Sequence, residues 1–233
     1  MRFAVVVWWI GLSGCTTPGM LEPVEPLGAG GRQVSAEVGA HYSPEIDTSD
    51  VVVSTNVTGR FGLSPRVDMS VRGGTQGARW TTKVLLTPPE SGGTRVAIAP
   101  GLGGAVAALP GLTTTTAGVV DFRLPVLIGV PLKDHELVVS VYGRDTLYFA
   151  GLSLLWGDMA SAWSNQVSAG TSLGLRIHAS PRFEVFPELQ VEQPIWRSTS
   201  FDSDREGDLG NEWPTVNLQV GLMWRLGKGD EPS

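Results

Sequence analysis

The chain has 233 residues, of which 17% are charged and 30 are glycine, against a soluble-domain norm of about 25% charged and about 7% glycine. Hydrophobic residues reach 42%, which excludes a disordered chain, and a net charge of -6 with no basic block excludes a nucleic-acid partner. The length allows one substantial core or one closed sheet, so a small stapled scaffold is also excluded.

The chain opens on a processing signal. Met1 and Arg2 give a short positive start, and residues 3–12 (FAVVVWWIGL) carry no charge. A spanning helix needs about 20 such residues, so this is the core of a signal peptide over residues 1–14. It ends in Leu12-Ser13-Gly14-Cys15, and Cys15 is the only cysteine. These four residues resemble the lipobox of bacterial lipoproteins. The resemblance implies cleavage before Cys15 and lipidation there with palmitate-type chains. The alternative is an ordinary or uncleaved secretory signal with an incidental cysteine. Thr16 stands where an aspartate often retains such proteins at the inner membrane, so the resemblance favours the outer membrane of a Gram-negative bacterium. Residues 15–32 are rich in proline and glycine, lack periodicity, and read as a lipidated flexible tether.

From residue 33 onward the sequence alternates with period two, the signature of strands with one apolar face. The expected strands are 33–43, 51–63, 66–74, 79–87, 94–104, 117–129, 134–143, 166–178, 181–193 and 213–226. In the first, Val34, Val38 and Tyr42 oppose Gln33, Ser35, Glu37 and His41. In 60–72, Phe61, Leu63, Val67, Met69 and Val71 oppose Arg60, Arg66, Asp68 and Arg72, with a turn at Ser64-Pro65. Val120, Phe122, Leu124, Val126 and Ile128 oppose Asp121 and Arg123. Leu173, Leu175 and Ile177 oppose Ser172, Arg176 and His178. Val185, Leu189 and Val191 oppose Glu184, Glu188 and Glu192, although Phe186 and Pro187 interrupt the pattern. In the last strand, Val216, Leu218, Val220, Leu222, Trp224 and Leu226 oppose Asn217, Gln219 and Arg225.

Three features favour a membrane barrel over a soluble sandwich. The strands run about 9–13 residues, longer than the usual 5–6 and matched to a tilted membrane strand. Their polar faces hold Gly, Ser, Arg, Glu and Gln, as a narrow polar lumen would. Trp80, Tyr142, Trp156, Trp163, Trp196, Trp213 and Trp224 fall near strand ends or in adjoining loops, where aromatic rings favour the headgroup interface. Short turns at Ser64-Pro65, 87–93, 130–133 and 179–180 belong on the periplasmic side. Longer connections at 44–50, 105–116, 144–165 and 194–212 belong outside, with a short outer turn at 74–79. Segment 146–155 (TLYFAGLSLL) resembles an eleventh strand. Closure with both ends inside needs an even number, so it reads as an extension above the membrane or half of a mis-split hairpin. The fold expected is an all-β antiparallel transmembrane barrel of about ten strands, with eight to twelve open.

The stretches VTGRFGLSPRVDMSVRGG (57–74) and TVNLQVGLMWRLGK (215–228) resemble small outer-membrane β-barrel proteins of Gram-negative bacteria. The resemblance extends in pattern over residues 33–228, and brings no motif with catalytic residues. Lipidation is unusual for such a barrel, which keeps a lipid-tethered soluble β-domain as an alternative.

Little in the sequence carries reaction chemistry. His41, His135 and His178 fit no zinc pattern. His41 with Ser43, or His178 with Ser172, are the only serine–histidine pairings to consider for a lipid hydrolase, and their spacing supplies no base or orienting group. Gly101-Leu102-Gly103-Gly104 lacks the Gly-Lys-Ser/Thr ending of a phosphate loop. Residues 201–210 (FDSDREGDLG) match a calcium loop at Asp202 and Asp204 only, with Glu206 in the third place. No enzyme, metal or cofactor is expected.

The functional candidates are the polar residues that a barrel would turn inward: Arg60, Arg66, Asp68, Arg72, Asp121, Arg123, Arg176, Glu184, Glu188 and Glu192. Charges unpaired in a narrow lumen are costly, so a paired ladder is expected over an open pore. The first reading is a structural or interaction protein of the outer membrane, in contact with its lipid. The others are a porin-like small-solute channel, a tethered soluble domain binding a partner such as a surface protein, and a lipid-modifying enzyme. The sequence leaves the oligomeric state open.

Overall fold

The computed structural model describes residues 22–42, 51–75, 77–88, 92–108, 115–152, 161–199, 207–208 and 214–226. These form β1 (Arg32–Tyr42), β2 (Val52–Gly62), β3 (Val67–Gly74), β4 (Gly77–Leu85), β5 (Arg95–Ile98), β6 (Gly101–Ala108), β7 (Thr115–Leu132), β8 (His135–Leu152), β9 (Ser161–Ser180), β10 (Phe183–Thr199), β11 (Gly207–Asp208) and β12 (Thr215–Leu226). β5 and β6 are one wall strand interrupted at Ala99-Pro100, because proline has no N–H for the ladder. β11 is a two-residue strip paired with Trp196 and Arg197 of β10. The wall therefore has ten strands.

Every neighbour is antiparallel, and the sheet closes on itself. β12 pairs with β1 over Arg32–Tyr42, and also with β10, which pairs with β9. Closure leaves no edge within the membrane, the condition for a sheet to span one. The protein is a ten-stranded antiparallel transmembrane β-barrel. Both ends of the wall, at Arg32 and Leu226, lie at the rim that carries the tight turns.

The alternation is inside out relative to a soluble protein. Leu173, Leu218, Val53, Val126 and Val141 are 41–64% exposed, while Arg176, Glu184, Lys83 and Asp68 are 1% exposed. The apolar faces are the outer surface, and so the soluble tethered domain is rejected: its core would have required those same faces inside.

Several details depart from the expected elements. Segment 146–155 is no separate strand, because β8 runs on to Leu152 between β7 and β9. The outer connections are accordingly shorter than expected on that side. β7 to β10 have 17–20 residues against 8–11 in β1 to β4, so one half of the wall stands well above the other. The turn expected at 130–133 is the two-residue Lys133-Asp134, and that at 179–180 is Pro181-Arg182. Arg66 lies exposed in the turn after Leu63, outside the lumen. Tyr142 points into the lumen, 2% exposed, not to the headgroups. Trp80, Trp163 and Trp224 are outward and 40–55% exposed. Trp156 and Trp213 lie outside the described residues.

Candidate functional site

The lumen is filled in layers, beginning at the rim that carries the tight turns with the chain's own N-terminal segment. Residues 22–31 have no regular secondary structure, as their composition implies, yet they are packed. Val24 is 0% exposed and joins Leu85, Ala97, Leu127, Val138, Phe186 and Met223 in an apolar cluster inside the barrel. Gly129 makes room for it, since a Cβ there would lie 2.9 Å from that of Val24. Gly28 and Gly30 take positive φ of 76° and 78°, which lets the chain turn out of the lumen and into β1. A bridge of Gly30 N to Gly62 O and Gly62 N to Gly31 O, both 2.9 Å, fixes it at the rim.

Cations from several strands hold this segment by its backbone. Lys83 Nζ donates to the carbonyls of Pro23 at 2.6 Å and Glu25 at 3.1 Å, and Arg60 Nη2 donates to Glu25 O at 2.6 Å. Leu27 N–H donates to Asp68 at 3.1 Å, and Asp68 also pairs with Arg60 and, at 3.0 Å, with Lys83. Ser70 Oγ donates to Glu22 Oε1 at 2.7 Å.

Arg176 is the hub of this layer. Its Nε and Nη2 donate to the two oxygens of Glu184 at 3.0 and 2.8 Å, while Nη1 meets Glu25 at 2.6 Å and Glu136 at 3.3 Å. Arg225 Nε and Gln33 Nε2 complete Glu184, each at 3.1 Å. Arg95 lies 3.9 Å from both Glu25 and Glu136.

Burial works to raise the Glu25 carboxyl, but the facing guanidinium of Arg176, helped by Arg95 and Arg225, holds it below its ordinary value near 4.5. A depressed carboxyl stabilises the docked segment fully above that ordinary value. The stabilisation is lost as pH falls through the lower docked value. Amide exchange at Val24, Glu25 and Leu27, corrected for its intrinsic pH dependence, is therefore expected to be slow at pH 7 and to accelerate at about pH 3. Equal protection at both pH values would refute this linkage.

The middle layer is an ion pair beside a chain of charges. Arg72 pairs with Glu37 at 2.5 Å and Arg79 with Asp121 at 2.7 Å. Arg144 reaches Asp121 at 3.6 Å and Glu192 at 3.1 Å, and Arg123 reaches Glu192 at 3.6 Å. The Arg123 guanidinium lies 4.3 Å from the centre of the Tyr142 ring, whose hydroxyl donates to Glu192 at 3.0 Å. Gln219 donates to Glu188. Four arginines thus face four carboxylates among the described residues. A cavity of about 30 Å³ between Glu22, Arg72, Arg79 and Arg123 has room for one or two waters and no solute.

Of the sequence-derived candidates, Arg60, Asp68, Arg176 and Glu184 lie in the first layer. Arg72, Asp121, Arg123, Glu188 and Glu192 lie in the second. Sequence reasoning passed over Glu25, Lys83, Arg79, Glu37, Glu136 and Arg144. The run Arg79-x-Thr81-x-Lys83 carried the signal for two of them, and Glu37 already stood on a polar strand face. The serine–histidine pairing of His178 with Ser172 is not brought together. Both lie on β9 six residues apart, about 20 Å along a strand. Ser172 bonds Ser140 at 2.7 Å, and His178 bonds the carbonyl of Asp134. Cys15, Ser43, Asp202, Asp204 and Glu206 lie outside the described residues.

No protein-family model matches the chain, and no curated protein matches it. Among solved structures, it is similar to an outer-membrane channel from Pseudomonas putida F1, with 13% identity, 91% of this chain and all of that chain covered, and a TM-score of 0.48. It is also similar to Neisserial surface protein A, with 8% identity, 84% and 96% coverage, and a TM-score of 0.42. The outer-membrane protease OmpT from Escherichia coli gives 9% identity, 91% and 100% coverage, and a TM-score of 0.40.

Proposed function

We propose that this outer-membrane β-barrel protein is a closed structural or interaction barrel, anchored additionally by lipid on Cys15. The observation that supports closure is the N-terminal segment lodged in the periplasmic mouth beneath a charge-balanced middle layer. In this reading the paired interior closes the lumen to solute. The tall half formed by β7 to β10 offers the surface for a partner outside the membrane. The reading includes no catalytic role.

Planar-bilayer recording of the purified, folded chain tests it. The expected result is a silent protein. Stable unitary conductance steps would overturn the reading in favour of the porin-like channel.

Lipidation is tested separately. Cys15→Ser is expected to abolish incorporation of labelled palmitate and to leave the precursor uncleaved. Exported by another signal, the same variant should still insert. Its unboiled band should run compact on a gel and shift on boiling, because the closed sheet has no edge from which to unzip. Labelled palmitate retained in Cys15→Ser would remove the anchor from the proposal.

A further inference from the structure

We propose that the periplasmic rim of the barrel is a binding surface for anionic phospholipid headgroups. Arg32 opens β1, Arg66 ends the turn between β2 and β3, Lys133 begins the turn between β7 and β8, and Arg182 ends the turn between β9 and β10. All four are exposed, and no ion pair or hydrogen bond engages the side chain of any of them among the described residues, although the backbone N–H groups of Arg66 and Arg182 donate to serine hydroxyls in their turns. Inside the barrel, by contrast, Arg60, Arg79, Arg144 and Arg176 are each paired with carboxylates. Asp134, beside Lys133, is the one exposed acid among the described rim residues.

The position of these cations selects the ligand. Each stands at the lower border of the lipid-facing band. Arg32 pairs across the ladder with Leu226 and Phe61, which are 49% and 42% exposed on the outer wall. Arg66 follows Leu63 (57% exposed) and Lys133 follows Leu132 (45% exposed). Arg182 precedes Phe183, whose ring lies 5.2 Å from that of the outward Trp224. A cation directly below exposed apolar side chains is at headgroup depth, where a lipid phosphate meets it and the acyl chains meet the wall.

Lys133 adds an independent indication. Its φ is 54°, the left-handed region in which glycine or asparagine is at ease and a lysine is strained. The chain holds only three lysines, and one of them occupies this position. A strained lysine in a turn that glycine would relax points to a role for its side chain.

The test is lipid selectivity of the full, folded chain in phosphatidylcholine vesicles, read by electron paramagnetic resonance with spin-labelled phosphatidylglycerol or phosphatidylcholine. Wild type is expected to restrict phosphatidylglycerol severalfold more than phosphatidylcholine. The preference should fall with added salt, since exposed charges are screened. It should decline with each cation removed and vanish in R32Q/R66Q/K133Q/R182Q. If that variant does not fold, shown by loss of the compact unboiled band, the pairs R32Q/R182Q and R66Q/K133Q should each lose part of the preference. Equal restriction of both lipids by wild type, or an unchanged preference in the folded variants, would overturn the proposal. So would co-sedimentation with purified peptidoglycan that the substitutions abolish while lipid selectivity stays unchanged. That outcome would assign the rim to the cell wall.

Discussion

Replacing Arg176 with methionine should lower the unfolding free energy of the barrel by about 3–5 kcal/mol, the usual cost of breaking a buried charge network from one side. Arg176 is 1% exposed and bonds three carboxylates, those of Glu184, Glu136 and Glu25. Its removal leaves Glu136 with Arg95 at 3.9 Å and no closer cation. Glu184 keeps Arg225 and Gln33. The loss should appear in urea titrations of the folded chain in vesicles, followed by tryptophan fluorescence. Arg176→Lys should fall between, because an ammonium keeps the charge but cannot meet both oxygens of Glu184 at once. The double variant R176M/E136Q should recover part of the loss, since the stranded charge is then gone. If R176M stays within about 0.5 kcal/mol of wild type, as ordinary surface substitutions do, the hub role is refuted.

How far this arrangement could be read from the sequence depends on the range of the contacts involved. β12 was legible outright, because Val216 to Leu226 alternate without a break and period two needs no partner to be seen. The inward direction of the polar faces was legible for a similar reason: charges of both signs on many strands can pair only if they converge. Arg66 was misplaced by parity. It falls on the same alternation as Arg60 and Arg72, but the turn after Leu63 interrupts the strand and leaves it outside. Tyr142 was ambiguous because β8 is apolar on both faces there: Val138 and Tyr142 point inward and Val139 and Val141 outward. The upper half of β8 was obscured because a strand that rises above the membrane is supported by the equal height of β7 and β9, which its own residues do not encode. The docked segment was the least visible. Its prolines and glycines have the composition of a tether, and its order comes from Arg60, Asp68, Lys83 and Arg176 on four different strands.

Placing arginine at Leu173 or Leu218 should cost about 2–4 kcal/mol, because a charge on the lipid face near the bilayer midplane must be solvated by distorting the bilayer. The two side chains are 51% and 55% exposed, and the ladder sets them in one row with Val139 and Leu189. The row crosses four neighbouring strands on their outer faces, so it is a continuous apolar surface whose only suitable solvent is hydrocarbon. Leu226→Arg supplies the control of depth. Leu226 is 49% exposed on the same face of β12 as Leu218, but at the rim opposite Arg32. There the side chain can reach water, and the cost should fall to about 0–1 kcal/mol. The gradient is more informative than either value. Water outside the wall would make all three substitutions nearly neutral, since Leu173 and Leu218 are already half exposed. A core outside the wall would make all three costly. Only a bilayer of finite thickness makes the cost depend on height along the strand. Equal unfolding free energies for the three variants in vesicles would therefore contradict the spanning topology, whatever their common value.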